Sequence, residues 1–248
     1  MSRANFESPR RVGVAILARA PIPGQAKTRL IPVLGATGAA ALHRWLLHRT
    51  VATALAADVG PVTLWCAGDP EHPDFEHCRA FGAVAMRPQP EGDLGVRMLA
   101  ALRESPTETT LVIGTDCPAL TATHLHEAAQ TLVVHDAVIL PAEDGGYVMI
   151  GARSPRPELF AAIDWGTTRV MAQTRQRLAA LGWRWDEPAT LWDVDRPEDL
   201  ARLYSSWPDT AFAATVSPAT RHGDLWGKDD DGDEYQPTRC GVPDGGAP

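Results

Sequence analysis

Short apolar runs alternate along the chain with longer stretches in which apolar side chains return every three or four residues. Val12-Gly13-Val14-Ala15-Ile16-Leu17-Ala18, Pro61 to Ala67, Leu111-Val112-Ile113 and Asp136 to Pro141 are continuous and largely β-branched or apolar, as in strands covered on both faces. Ala83 to Arg87 reads as a weaker strand and Trp183-Arg184-Trp185 as a short one, and Leu191 to Asp195 carries the end of another. Helical spacing runs from Ala36 to Ala57, with Leu42, Trp45 and Leu46 on one side. It recurs from the turn around Gly92 to Glu104, from Thr121 to Val133, over Glu158 to Ile163, and from Val170 to Leu181, where Gly182 ends it. Strands separated by helices predict an open α/β sheet, and the ligand crevice of such a sheet lies at the carboxyl ends of its strands.

The polar residues at those ends carry the candidate chemistry. The first strand feeds Pro21-Ile22-Pro23-Gly24-Gln25-Ala26-Lys27-Thr28-Arg29, where two prolines and a glycine forbid regular structure and two cations stand two residues apart. Arg forks across two phosphate oxygens, Lys supplies a point charge, and Gly24 lets backbone approach closely, so the loop suits phosphates; the alternative is a solvated basic turn. It lacks the first glycine of a Walker A loop. The third apolar run ends in Gly114-Thr115-Asp116-Cys117-Pro118, which puts Asp116 where a carboxylate can anchor a divalent cation, unless it only caps the helix starting near Thr121.

Three further stretches add to this set. Gly92-Asp93-Leu94-Gly95-Val96-Arg97 suits recognition of a base or sugar, with Asp93 as a helix N-cap the plainer reading. Glu143-Asp144-Gly145-Gly146-Tyr147 is a hairpin turn signal that also offers an acceptor floor, and Trp165 with Thr167 could line the acceptor pocket or simply pack in the core. Period two puts Asp193 and Asp195 on one face, which leaves one of them spare for a cation.

Composition narrows the classes. The net charge of −8 argues against a surface that coats a nucleic acid polymer, and 32 residues from Ser217 hold half of that excess. Four cysteines without a C-x-x-C pair indicate neither disulfide framework nor zinc site, and are read as reduced thiols of a cytoplasmic protein. No apolar run approaches the roughly 20 residues of a membrane span, and Val12 to Ala18 is too short for a signal peptide. The expected organisation is a frayed 1–10, a folded domain over 11–207 and an acidic, disordered 208–248; Asp229 to Glu234 looks calcium-like but has its glycine out of place for an EF-hand.

Pro23-Gly24-x-x-Lys27-Thr28-Arg29-Leu30, Gly92-Asp93-Leu94-Gly95-x-Arg97-Met98, Gly114-Thr115-Asp116-Cys117-Pro118, Asp144-Gly145-Gly146-Tyr147 and Asp193-x-Asp195-x-Pro197-Glu198-Asp199-Leu200 occur in order. Together, from about Val12 to Tyr204, they resemble the type 1 radical-SAM/selenoprotein-domain-associated transferases, a family with the glycosyltransferase-A, or nucleotide-diphospho-sugar transferase, fold. The resemblance implies a Rossmann-like three-layer αβα sandwich with a mixed, mostly parallel sheet. It implies Mg²⁺ or Mn²⁺ at Asp116, and by analogy with related cytidylyl- and guanylyltransferases Asp195 becomes the second ligand; the sugar-transferase signature Asp-x-Asp is absent at 114–116.

The leading expectation is glycosyl transfer from a nucleotide sugar to a small acceptor. Lys27 and Arg29 would neutralise the leaving group, Asp144 or Glu143 would act as base, and Gly24, Thr28, Gly92, Asp93, Arg97, Gly145, Gly146, Tyr147, Trp165 and Thr167 would bind substrate. Nucleotidyl transfer from a nucleoside triphosphate to a phosphorylated acceptor uses the same parts without a base. A non-catalytic nucleotide-binding regulator is the reading from a different class. The oligomeric state is not legible.

Overall fold

The structure, a computed structural model, describes residues 11–208, so the calls on 1–10 and on the acidic tail from 209 onward lie outside the described residues. Seven strands form one sheet in the order β3-β2-β1-β4-β6-β5-β7. They are β1 (Val12–Arg19), β2 (Val62–Ala67), β3 (Val84–Pro88), β4 (Thr109–Ile113), β5 (Ala137–Pro141), β6 (Tyr147–Ala152) and β7 (Trp185–Asp186). β6 is antiparallel to β4 and β5, and every other pairing is parallel. The helices are α1 (Ile31–Ala57), α2 (Pro73–Cys78), α3 (Leu94–Arg103), α4 (Ala122–Val134), α5 (Val170–Ala180) and α6 (Asp199–Ser206).

Period-two alternation in the central strands builds the three layers. Val14, Ile16 and Ala18 of β1 pack with Leu47 and Val51 of α1 and with Leu125 and Leu132 of α4. Ala15 points the other way, into a second core made with Met98 and Leu102 of α3 and Met171 and Leu178 of α5. A strand covered on both faces must be apolar throughout, and for this reason β1 reads as an unbroken run. A third cluster joins Leu42 and Leu46 of α1 to Leu200 and Leu203 of α6 through Trp192 and Val194.

The chain lays β2 and then β3 on one side of β1, and α3 carries it back across to place β4 on the other side, Ile16 opposite Ile113. The carboxyl ends of β1 and β4 therefore flank a reversal of strand order, where an open α/β sheet leaves a crevice. The loop holding Lys27 leaves β1 there, and Asp116 leaves β4.

Four local expectations change. α1 begins at Ile31, ahead of Ala36, and Gly35 interrupts it with φ 70°. In place of the helix expected over Glu158 to Ile163 there is only a 3₁₀ turn, Pro157–Phe160. Trp183 is not a strand residue: Gly182 takes φ 67° and Trp183 donates its N–H to Leu178, closing α5, so the edge strand starts at Trp185. Leu191 makes a single bridge to Ala142, and the chain then leaves the sheet because the Val194 N–H donates to the Asp116 carbonyl at 2.8 Å. The two-residue period proposed for Asp193 and Asp195 therefore has no strand beneath it.

The membrane-span expectation also needs amending. The helical stretch from Thr28 through α1 is long and apolar enough to cross a bilayer by length and composition alone. Its apolar residues have another use here, since Leu42, Leu46, Leu47, Val51 and Ala54 are buried against the sheet and α6.

Cys66, Cys78 and Cys117 are buried free thiols, and burial pushes each up to about 12. In a Cys240→Ser chain, all three should stay unlabelled by a thiol reagent at pH 8 until denaturant is added, because the thiolate is the reactive form. Rapid stoichiometric labelling of the native chain would show that the core opens readily.

Candidate functional site

A cavity of about 590 Å³ occupies the crevice at the ends of β1 and β4. Ala26, Lys27, Thr28 and Arg29 wall one side; Leu94, Arg97 and Met98 of α3 with Tyr147 and Val148 of β6 contribute another; Asp116, Asp193 and Asp195 also line it. Lys27, Thr28, Arg29, Arg97, Tyr147, Asp116 and Asp195, which the sequence singled out, thus share one cavity. Gly24, Gly92, Asp93, Glu143, Asp144, Gly145, Gly146, Trp165 and Thr167 do not line it.

Lys27 holds the loop against the sheet. Its backbone is left-handed, φ 48° and ψ 45°, and its side chain is 4% exposed. The ammonium meets Asp116 Oδ1 at 2.7 Å and donates to the Val194 carbonyl, so one buried cation ties together the loop after β1, the end of β4 and the segment before α6. Burial pushes the Asp116 carboxyl toward protonation, but Lys27, His43 and the Thr115 hydroxyl outweigh it and hold it below the usual carboxylate range. The carboxylate is 47% exposed, so its other oxygen is available to the cavity. Asp116 caps no helix: Thr121 caps α4, in a reciprocal box with His124.

Arg29 reaches Asp195, an exposed pair, while the Asp195 and Arg196 N–H groups donate to Asp199. Asp193 is different. Burial, then Asp144 and Asp116, push its carboxyl up to about 6 against the weaker pull of Lys27 and of its own backbone N–H, and no ion pair among the described residues engages it. Asp144 accepts from the Gly146 N–H at 2.8 Å, and Glu143 pairs with Arg202 at 2.7 Å. Asp93 caps α3 through the Val96 N–H, the plainer of its two readings.

Two cavity residues, His43 and Gln89, have no counterpart in the sequence reading, and Asp193 was read without being set apart from Asp195. His43 of α1 is 6% exposed and hydrogen-bonds through Nε2 to the Arg19 carbonyl, a contact that makes Nε2 the donor. Its Nδ1 lies 3.9 Å from Asp116 without a hydrogen bond, and burial, with Lys27, lowers its pKa against the pull of Asp116. The available signal was a histidine one turn before Leu47 on the apolar stripe of α1. Gln89 uses its amide nitrogen to hold the Ala18 and Trp65 carbonyls at 3.0 and 2.8 Å, which fixes its oxygen as the free acceptor. Asp193 was visible, but the assumed strand gave no reason to prefer it to Asp195.

The mixed, mostly parallel seven-stranded sheet with its helices matches the nucleotide-diphospho-sugar transferase and cytidylyltransferase folds. The profile of DUF2064, described as an uncharacterized protein conserved in bacteria, matches residues 50–167, a stretch that holds Asp116 and Asp144 but neither the Lys27 loop nor Asp193. A protein from Desulfovibrio desulfuricans G20, provisionally described as a nucleotide-diphospho-sugar transferase, superposes with a TM-score of 0.73 at 27% identity, covering 84% of this chain and 94% of that one. A nucleotidyl transferase from Methanothermobacter thermautotroptrophicus gives 0.55 at 15% identity over 82% and 99%. The 4-diphosphocytidyl-2C-methyl-D-erythritol synthase of Anaerococcus prevotii DSM 20548 gives 0.51 at 14% over 79% and 96%. No curated protein matches the chain.

Proposed function

We propose that the protein is a metal-dependent transferase that uses a nucleotide-activated donor, most simply a glycosyl transferase acting from a nucleotide sugar on a small acceptor. The observation that carries this reading is the Lys27–Asp116 contact, which sets the cation of a phosphate-type loop against a cavity-facing carboxylate at the switch point of the sheet. The similarity to the Desulfovibrio protein and the motif resemblance to the radical-SAM-associated transferases support the same reading.

The residues present fit a hard divalent cation. No three metal-ligating side chains cluster among the described residues, but Mg²⁺ in such sites is commonly held by one or two carboxylates together with substrate phosphates. Asp116 would supply one, and Asp195 the other. A bound cation would offset charge on the donor's diphosphate. Lys27 and Arg29 would bind the same diphosphate once their carboxylate partners are drawn to the metal. For a hydroxyl acceptor the base would be Asp193, which lines the cavity and is unpaired, in preference to Asp144, whose carboxylate closes its own turn.

Nucleotidyl transfer is the second reading. It is favoured by the engagement of Glu143 and Asp144 away from the cavity wall, since a phosphate acceptor needs no base. Unfolding midpoints with nucleoside triphosphates and nucleotide sugars, each with and without Mg²⁺ and Mn²⁺, separate the two. A ligand at ~100 times its Kd should add about 2.7 kcal/mol. A metal-dependent shift with one nucleotide sugar, absent in Asp116→Ala, is expected for glycosyl transfer. A shift confined to one triphosphate would replace that reading with nucleotidyl transfer, and binding that ignores metal and Asp116 would leave a binding module.

A further inference from the structure

Two nitrogen donors beside the first turn of α3 have no hydrogen-bond partner among the described residues. Arg97 lines the cavity on the same helix face as Leu94 and Met98; its Nε is sealed from solvent without a hydrogen bond, and its guanidinium pairs with no carboxylate among the described residues. Asp93, one turn earlier, caps the helix through Oδ1 and forms no ion pair with Arg97. Trp165 packs against the same turn, with its ring 3.0 Å from where a side chain on Gly95 would begin, and its indole Nε1 is also buried and unpaired. A buried donor left unmatched is destabilising, so a ligand that pairs with it gains correspondingly. Lys27 and Arg29, by contrast, already face carboxylates.

The position of Arg97 separates it from the phosphate loop. α3 lies on the sheet face opposite α1, and Met98 beside Arg97 meets the Tyr147 hydroxyl at 3.8 Å, so this wall belongs to the β6 side of the cavity. With the donor's diphosphate taken to sit on the Lys27 loop, the assignment of this wall to the second substrate is part of the inference. We propose that Arg97 binds an anionic group, a phosphate or a carboxylate, on the acceptor, while Tyr147 and Met98 cover the acceptor's apolar part. The assignment of Arg97 to the acceptor rests on the reading that the Lys27 loop takes the donor.

Calorimetric titration of the full-length chain with inorganic phosphate, glycerol 3-phosphate, lactate and glycerol tests this. Phosphate-bearing or carboxylate-bearing probes should bind about 10-fold or more weakly to Arg97→Gln, with partial recovery in Arg97→Lys, because a bidentate fork is lost and then replaced by a point charge. Arg29→Gln should change them less than about 3-fold, as expected of a separate site. Tighter glycerol 3-phosphate marks a phosphate acceptor, tighter lactate a carboxylate, and glycerol should bind to none. Anion binding that is absent in the wild type, unchanged in Arg97→Gln or lost only in Arg29→Gln would overturn the proposal. The nucleotide panel reads the donor site independently: loss of nucleotide shifts with Arg97-dependent anion binding intact would overturn the donor reading and leave the anion site standing.

Discussion

Lys27→Met is expected to lower turnover by about 10²–10³-fold, the scale of removing one preorganised charge partner from a transition state. It should also destabilise the fold, which a purely catalytic residue would not do. The ammonium is buried and serves both the Asp116 carboxylate and the Val194 carbonyl, so removing it strands a charge and an acceptor at the meeting of three chain segments. Breaking a buried pair from one side costs ~3–5 kcal/mol, and water in the cavity beside the half-exposed Asp116 reduces this to about 2–3. At roughly 2–4 °C per kcal/mol the unfolding midpoint falls by about 4–12 °C. Adding Asp116→Asn should restore much of the midpoint, since the stranded charge is gone, and none of the activity. A double variant as unstable as Lys27→Met would show that the Val194 contact, not the ion pair, holds the loop. Arg29→Met is the contrasting case: its pair with Asp195 is exposed, and the midpoint should barely move.

The parts of this architecture that were legible are those whose cause is local. Strands covered on both faces must be continuously apolar, and β1, β4 and β5 read directly from that requirement. The crevice followed from where polar residues interrupt the runs, so Lys27 and Asp116 could be picked out before any contact between them was visible. What escaped depends on partners distant in sequence. Gln89 matters because the Ala18 and Trp65 carbonyls orient it, and nothing near residue 89 encodes them. A strand period alone does not separate Asp193 from Asp195, but Val194 is pinned to Asp116, and of its two neighbours Asp195 meets Arg29 while Asp193 has no ion pair among the described residues. Conversely, Asp144 and Gly146 carried a strong turn signal, and the hydrogen bond between them accounts for that signal without a substrate.

That turn is also where a single added methyl group should do the most structural harm. Gly145 has φ 92°, and a Cβ there would stand 2.4 Å from the Thr168 carbonyl oxygen and 2.8 Å from its Cα. Both obstacles are backbone, so neither can swing away. The same glycine accepts the Met171 N–H at 2.8 Å, which fastens the β5–β6 hairpin to the start of α5. Gly145→Ala is therefore expected to cost about 3–5 kcal/mol through left-handed strain and overpacking together. The midpoint should fall by roughly 6–20 °C, and β6, which presents Tyr147 and Val148 to the cavity, should loosen. Gly146→Ala supplies the control one residue on. Its added carbon meets only the Asp144 carboxylate, at 3.2 Å, and its φ is not in the left-handed range, so a loss under about 1 kcal/mol is expected. Equal losses at the two positions would mean that the turn's own geometry, and not its clamp on Thr168, sets the stability of this wall. A large loss at Gly145 alone would place the clamp between hairpin and α5 among the contacts that keep the Tyr147 wall of the cavity in shape.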